Sequence, residues 1–186
     1  QTAWLTLTSR SGRTRIGQAA VNADGTLTAT HAAVFEGGSS NFEKGGVSHP
    51  TTFENGEQLH MLYAGTKNGK QSIGLATFTD GEWISEGKVL SPNSSRWDGV
   101  SVVPNKVVPL DEGGWRLWYS GFDGGTWRIG SATSNEDGTS WSRDAAPRGY
   151  QLGTGQPGVW DDTGVRDAWV IHDESGDHIW YAGFNG

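Results

Sequence analysis

The sequence has no cysteine, which excludes a disulfide framework and thiolate chemistry. Basic residues are scarce: 14 Lys and Arg stand against 21 Asp and Glu, for a formal charge of -7. Phosphate backbones need a basic surface, so no nucleic-acid partner is expected. No apolar run approaches the roughly 20 residues of a membrane-crossing helix, and no signal-peptide core is visible, so no membrane partner is expected. His and carboxylate spacings match no metal site. The glycines fall in turns between extended segments, which is not the setting of a phosphate loop, so neither metal nor other cofactor is expected. The first residue is Gln1 and not Met. An upstream signal or further sequence removed from the chain would explain it, with a secreted or periplasmic location.

What the chain does have is aromatic and glycine: 10 Trp and 29 Gly in 186 residues. Only one Met is present. Aromatic strands joined by glycine-rich turns account for this composition better than a helical bundle does, and the length is enough to bury a core.

Three phrases recur in fixed order, the first at intervals of 53 and 65 residues and the other two at 56 to 62. The first is a turn and short strand: Gly46-Val47-Ser48-His49-Pro50, Gly99-Val100-Ser101-Val102-Val103-Pro104 and Gly164-Val165-Arg166-Asp167-Ala168. The second ends a strand in an aromatic followed by a small residue and Gly: Tyr63-Ala64-Gly65, Tyr119-Ser120-Gly121 and Tyr181-Ala182-Gly183. The third is Ile16-Gly17, Ile73-Gly74 and Ile129-Gly130, each followed by Ala two residues on. Asp24-Gly25, Asp80-Gly81 and Asp137-Gly138 then mark hairpins, because Gly accepts the positive φ that tight turns require.

One unit therefore reads as four short antiparallel strands without a helix. The expected fold is an all-β propeller of four-stranded blades spanning 1–186. Its blades would run 1–45 (partial), 46–98, 99–163 and 164–186 (partial). A β-solenoid is the alternative architecture. Strand counting yields about 13, a little over three blades, whereas closed propellers have about four to eight. The ring would thus be incomplete in one chain. Either further sequence closes it, or a second copy does by exchanging strands, which makes a homo-oligomer an expected partner.

An aromatic-acid pair precedes each first strand: Phe42-Glu43, Trp97-Asp98 and Trp160-Asp161. At the mouth of a propeller channel, Trp97 and Trp160 could stack on sugar rings and Asp98 could bond hydroxyls. Presence in every unit equally suits a blade-bracing role. Asp162 is an additional acid with no counterpart in the other units. His49 could line the channel and hydrogen-bond a sugar hydroxyl, or be a structural histidine. Trp118, Tyr119, Trp180 and Tyr181 read as packing between blades.

Trp97-Asp98-Gly99-Val100, Trp118 to Gly125 running to Arg128-Ile129-Gly130, and Gly164-Val165-Arg166-Asp167 together resemble the five-bladed propeller glycosidases. That group includes arabinanases, β-xylosidases, invertases and levansucrases. The resemblance implies a carbohydrate partner and acid-base cleavage of a glycosidic bond. It implies that Arg166-Asp167 matches a phrase whose Asp stabilises the transition state or tunes the acid, with Ala168 where the family has Pro. Asp167 would be catalytic, with Asp98 and Asp162 as further catalytic acids. Arg166, His49, Trp97 and Trp160 would bind substrate. Such chemistry needs two carboxyl groups about 5 to 9.5 Å apart. Because the other units carry His49 and Val102 at the position of Asp167, a non-catalytic glycan-binding or self-assembling module is the alternative function. A second stretch, Ser134 to Trp141, resembles the sialidase Asp-box, a peripheral blade brace. Sialidase chemistry also needs an arginine cluster, and Arg96, Arg116, Arg128 and Arg166 occupy different places in their repeats.

Overall fold

The computed structural model describes residues 2–185, apart from the side chains of Thr30 and His31. The expected terminal boundaries at 1 and 186 lie outside the described residues. The chain divides into two compact units, Gln1–Lys88 and Val89–Gly186.

The first unit begins with β1 (Thr2–Thr8), β2 (Thr14–Val21) and β3 (Leu27–Phe35), with β2 pairing antiparallel to both neighbours. A short 3-10 turn, Asn41–Glu43, leads to β4 (Gly46–Asn55), β5 (Gln58–Lys67), β6 (Lys70–Thr79) and β7 (Glu82–Leu90), an antiparallel meander. The two groups touch edge to edge through one parallel bridge, Thr14 with Gly46. The second unit holds β8 (Ser101–Pro109), β9 (Trp115–Phe122), β10 (Trp127–Ser134) and β11 (Trp141–Arg143) as one four-stranded antiparallel sheet. It ends with the pair β12 (Gly164–Asp173) and β13 (Gly176–Phe184). These are propeller blades in an all-β fold. The antiparallel meander sets them apart from a parallel β-solenoid.

Turn chemistry sets the hairpins. Asn68-Gly69 and Asp80-Gly81 each place both residues at positive φ (51° and 74°, 52° and 88°). This is the two-residue turn whose twist matches that of the flanking strands. In the Ser134–Trp141 stretch, Asn135 Oδ1 accepts the N-H groups of Thr139 and Ser140, while Trp141 Nε1 donates to Gly138 O. That stretch ties its own β10–β11 hairpin.

Central strands are buried on both faces, as sheets stacked in a propeller require. His60 to Gly65 of β5 is continuously buried. The first unit's core gathers Ile16, Phe35, Val47, Met61, Tyr63, Ala76 and Trp83, with Trp4 packed edge-on against Trp83 at 5.5 Å. The second unit's core joins Trp118 and Ile129 of one sheet to Val165, Ala168 and Val170 of the next.

Two sequence expectations change. Phe122 faces Ser101, whereas its counterparts Thr66 and Phe184 face Gly46 and Gly164. The third blade's frame is therefore offset by two, because Gly99-Val100 belongs to the turn before the strand. Trp180, expected to be interblade packing, is 56% exposed, since among the described residues no strand covers the face that in its counterpart Trp118 is buried. Leu5 pairs with Gly17 as Tyr63 pairs with Gly74 and Tyr119 with Gly130, so β1 takes the place of a second strand, as β13 does.

Candidate functional site

The three aromatic-acid pairs fold into one repeated brace. The ring stacks on the tyrosine of the second strand: Phe42 on Tyr63 at 6.2 Å, Trp97 on Tyr119 at 5.5 Å and Trp160 on Tyr181 at 5.3 Å, all within 24° of parallel. The glycine two residues after each tyrosine lets the ring approach. An added Cβ at Gly65, Gly121 or Gly183 would collide with Phe42, Trp97 or Trp160. Each tyrosine hydroxyl donates to the paired acid: Tyr63 to Glu43, Tyr119 to Asp98 at 3.1 Å and Tyr181 to Asp161 at 3.0 Å. Burial pushes the Tyr63 and Tyr119 phenols up, and the neighbouring acids push the same way, so both remain protonated donors.

This geometry encloses Asp98. It has no exposed surface, and its Oδ2 accepts from Arg143 Nε at 2.7 Å. The corresponding acid of the second blade, Glu43, meets Ser85 in place of arginine. Trp97 is partly covered: its indole N-H donates to Gly149 O and Tyr150 packs edge-on against it. Trp160 differs, being 57% exposed with one face on Tyr181. Asp162 Oδ2 accepts the Gly158 N-H at 2.7 Å and closes its own loop. Asp98 is thus enclosed with an arginine, whereas Asp162 has one oxygen engaged in its own loop.

Asp167 sits in a different environment. On β12, Asp167 and Ala168 together oppose the single residue Tyr181, which is a β-bulge. Asp167 takes φ 57°, a left-handed conformation that costs a non-glycine residue roughly 1 to 2 kcal/mol. Its side chain is 42% exposed and pairs with Arg166 Nε at 2.9 Å. The Arg166 guanidinium lies 5.1 Å from the Phe184 ring and 5.7 Å from the Trp127 ring, so aromatic faces hold it beside Asp167. His49 repeats the arrangement in the first unit. It opposes Tyr63 at the β4 bulge with φ 53°, and its ring Nδ1 lies 2.9 Å from Ser48 Oγ. Strained non-glycine backbone at matching bulges is a mark of functional positions.

Sequence reading missed two polar groups here, Ser120 and Asn105. Ser120 Oγ accepts the Asp167 backbone N-H at 3.0 Å and donates to Asn105 Oδ1 at 2.7 Å. The recurring Tyr-small-Gly phrase concealed Ser120, since Ala fills the place in the other two units. The two-residue frame offset concealed Asn105. At the other end of these strands, Arg116, His172 and Asp177 line a cavity of about 440 Å³, which takes in none of the residues expected to bind substrate.

No protein-family model matches this chain, and comparison with curated proteins finds no match. Solved structures do match. A β-1,2-mannobiose phosphorylase from Listeria innocua aligns over 92% of this chain and 46% of its own, with TM-score 0.68 and 18% identity. A glycosyl hydrolase from Bacteroides ovatus aligns over 100% of this chain and 57% of its own, with TM-score 0.72 and 16% identity. A structure from family 130, described as mannoside phosphorylases that include hydrolases of β-1,2-mannosidic linkages in Candida mannan, gives TM-score 0.71 at 17% identity. It aligns over 100% of this chain and 57% of its own. The chain thus spans about half the length of the structures it matches. At these identities the likeness is one of fold: it shows a fold shared with glycoside hydrolase and phosphorylase structures, and it does not reach the narrower arabinanase, xylosidase or invertase assignment.

Proposed function

We propose that this chain forms part of the wall of a carbohydrate-processing site, with Asp167 as its catalytic carboxylate. The observation that carries this reading is the exposed Asp167 side chain, held at a strained bulge and paired with an aromatic-clamped Arg166. A carboxylate so presented can stabilise positive charge developing at an anomeric carbon or orient the acid that protonates the leaving oxygen. Arg166 would hold that carboxylate and bond sugar hydroxyls. Trp160, with one face open, would stack on a sugar ring. In the first unit, taken by itself, His49 has the same left-handed bulge setting and would bond a sugar hydroxyl. Asp98 and Asp162 would act one step removed, bracing the blade and closing the loop that carries Trp160.

A specific observation favours the alternative, a non-catalytic glycan-binding module: Asp98 is wholly buried beside Arg143, and Asp162 Oδ2 is taken by the Gly158 N-H. One experiment separates the two. The wild type, Asp167→Asn and Trp160→Ala are assayed on mannobiose, arabinoside, xyloside and fructoside substrates, with and without inorganic phosphate. Binding is followed by calorimetry. Turnover lost in Asp167→Asn supports the enzyme; binding without turnover, lost in Trp160→Ala, supports the module. Neither turnover nor binding would remove carbohydrate from the function.

A further inference from the structure

We infer that Ser120 is the positioning residue for Asp167, an inference that rests on the proposed role of Asp167 and names the group that aims it. A residue at φ 57° persists only if its surroundings over-determine it. Ser120 supplies that constraint from the neighbouring sheet. It is 1% exposed, so its hydroxyl is shielded from water and needs protein partners. It finds two, accepting from the Asp167 N-H and donating to Asn105 Oδ1. The chain Asp167 N-H to Ser120 to Asn105 runs in one sense, so each bond polarises the next. Asn105, at the bulge of β8 opposite Tyr119, fixes the hydroxyl rotor and leaves the Ser120 lone pair on Asp167.

The first unit contains the same device independently. Thr6 stands where Ser120 does, one residue beyond the position of the stacking tyrosine, and its Oγ1 accepts the His49 N-H at 3.0 Å. Two hydroxyls on second strands thus each hold a left-handed residue on the following first strand. Ala64 and Pro104, at these places in the second and third blades, have respectively no hydroxyl and no N-H to offer. The serine therefore tracks the strained, exposed residue and is not a general feature of the blade.

The test is backbone amide hydrogen exchange by NMR on Ser120→Ala and Ser120→Thr, with the His49 amide as internal reference. Ser120→Ala is expected to speed exchange at Asp167 about tenfold, the equivalent of one hydrogen bond, with His49 unchanged. Ser120→Thr keeps the hydroxyl and is expected to restore wild-type protection. On a sugar substrate turned over by the wild type, Ser120→Ala is expected to lower kcat about tenfold with little change in KM, since misaiming a carboxylate weakens the transition state selectively. Unchanged exchange at Asp167, or equal acceleration at His49, overturns the inference. Absence of any turnover instead counts against the functional reading, and leaves the exchange result to decide the role of Ser120.

Discussion

Arg143 reaches across its sheet to donate from Nε to the Oδ2 of a wholly buried Asp98, at 2.7 Å. The same carboxylate oxygen accepts from Tyr119, and the Arg143 NH2 group bonds Ser91 O. The acid-aromatic brace of the third blade is thus closed by an ion pair, whereas in the second blade Ser85 closes it on Glu43.

Removing Arg143 strands a buried charge. Arg143→Leu is expected to lower unfolding free energy by about 3 to 5 kcal/mol. Ser85→Ala removes a neutral donor and is expected to cost about 1 kcal/mol. Urea denaturation of the two variants measures the difference, and equal losses would contradict the assigned pairing.

Trp118 and Trp180 occupy the same position in successive blades but are 7% and 56% exposed. Trp118→Ala is expected to cost about 3 to 5 kcal/mol, because Val165, Ala168 and Val170 would face a cavity. Trp180→Ala is expected to cost less than about 1 kcal/mol in this chain. Denaturation midpoints at one protein concentration make the comparison.

His60 provides a pH-dependent element. Burial lowers its pKa below the ordinary 6.5, with Glu86 partly opposing. Its ring stacks on Phe53 and its Nδ1 meets Thr77 Oγ1. The folded state resists the proton that the unfolded chain accepts, so the contribution to stability is undiminished above about 6.5 and falls as pH drops through that value. The loss levels off below the lower folded pKa. His60→Gln is expected to flatten the decline in urea midpoint between about pH 7 and pH 5; an unaltered slope would assign that decline to other groups.

The strain at Asp167 has a direct measure. Glycine accepts positive φ freely, so Asp167→Ala is expected to be less stable than Asp167→Gly by about 1 kcal/mol. Asp167→Asn keeps a side chain that tolerates this conformation and is expected to stay near wild type in stability. Thermal unfolding of the three variants tests the order. If Ala and Gly were equal, the backbone there would not be left-handed in solution.

The sequence alone determined the blade type, because its signals are local. Alternation, Asp-Gly turns and the Tyr-small-Gly phrase act within one strand or one hairpin, and the strands form where those signals fall. It also singled out Arg166-Asp167, through a resemblance confined to a short phrase. Tertiary structure decided which acids are exposed. Asp98 and Asp167 look alike as letters beside an aromatic or a basic residue, yet one is closed in by Arg143 and Tyr119, and the other is turned outward at a bulge. Burial and left-handed backbone depend on what the next sheet brings, and a Ser120 hydroxyl 47 residues before Asp167 leaves no local pattern. The exposure of Trp180 follows the same logic, since a strand cannot encode whether another sheet covers its outer face.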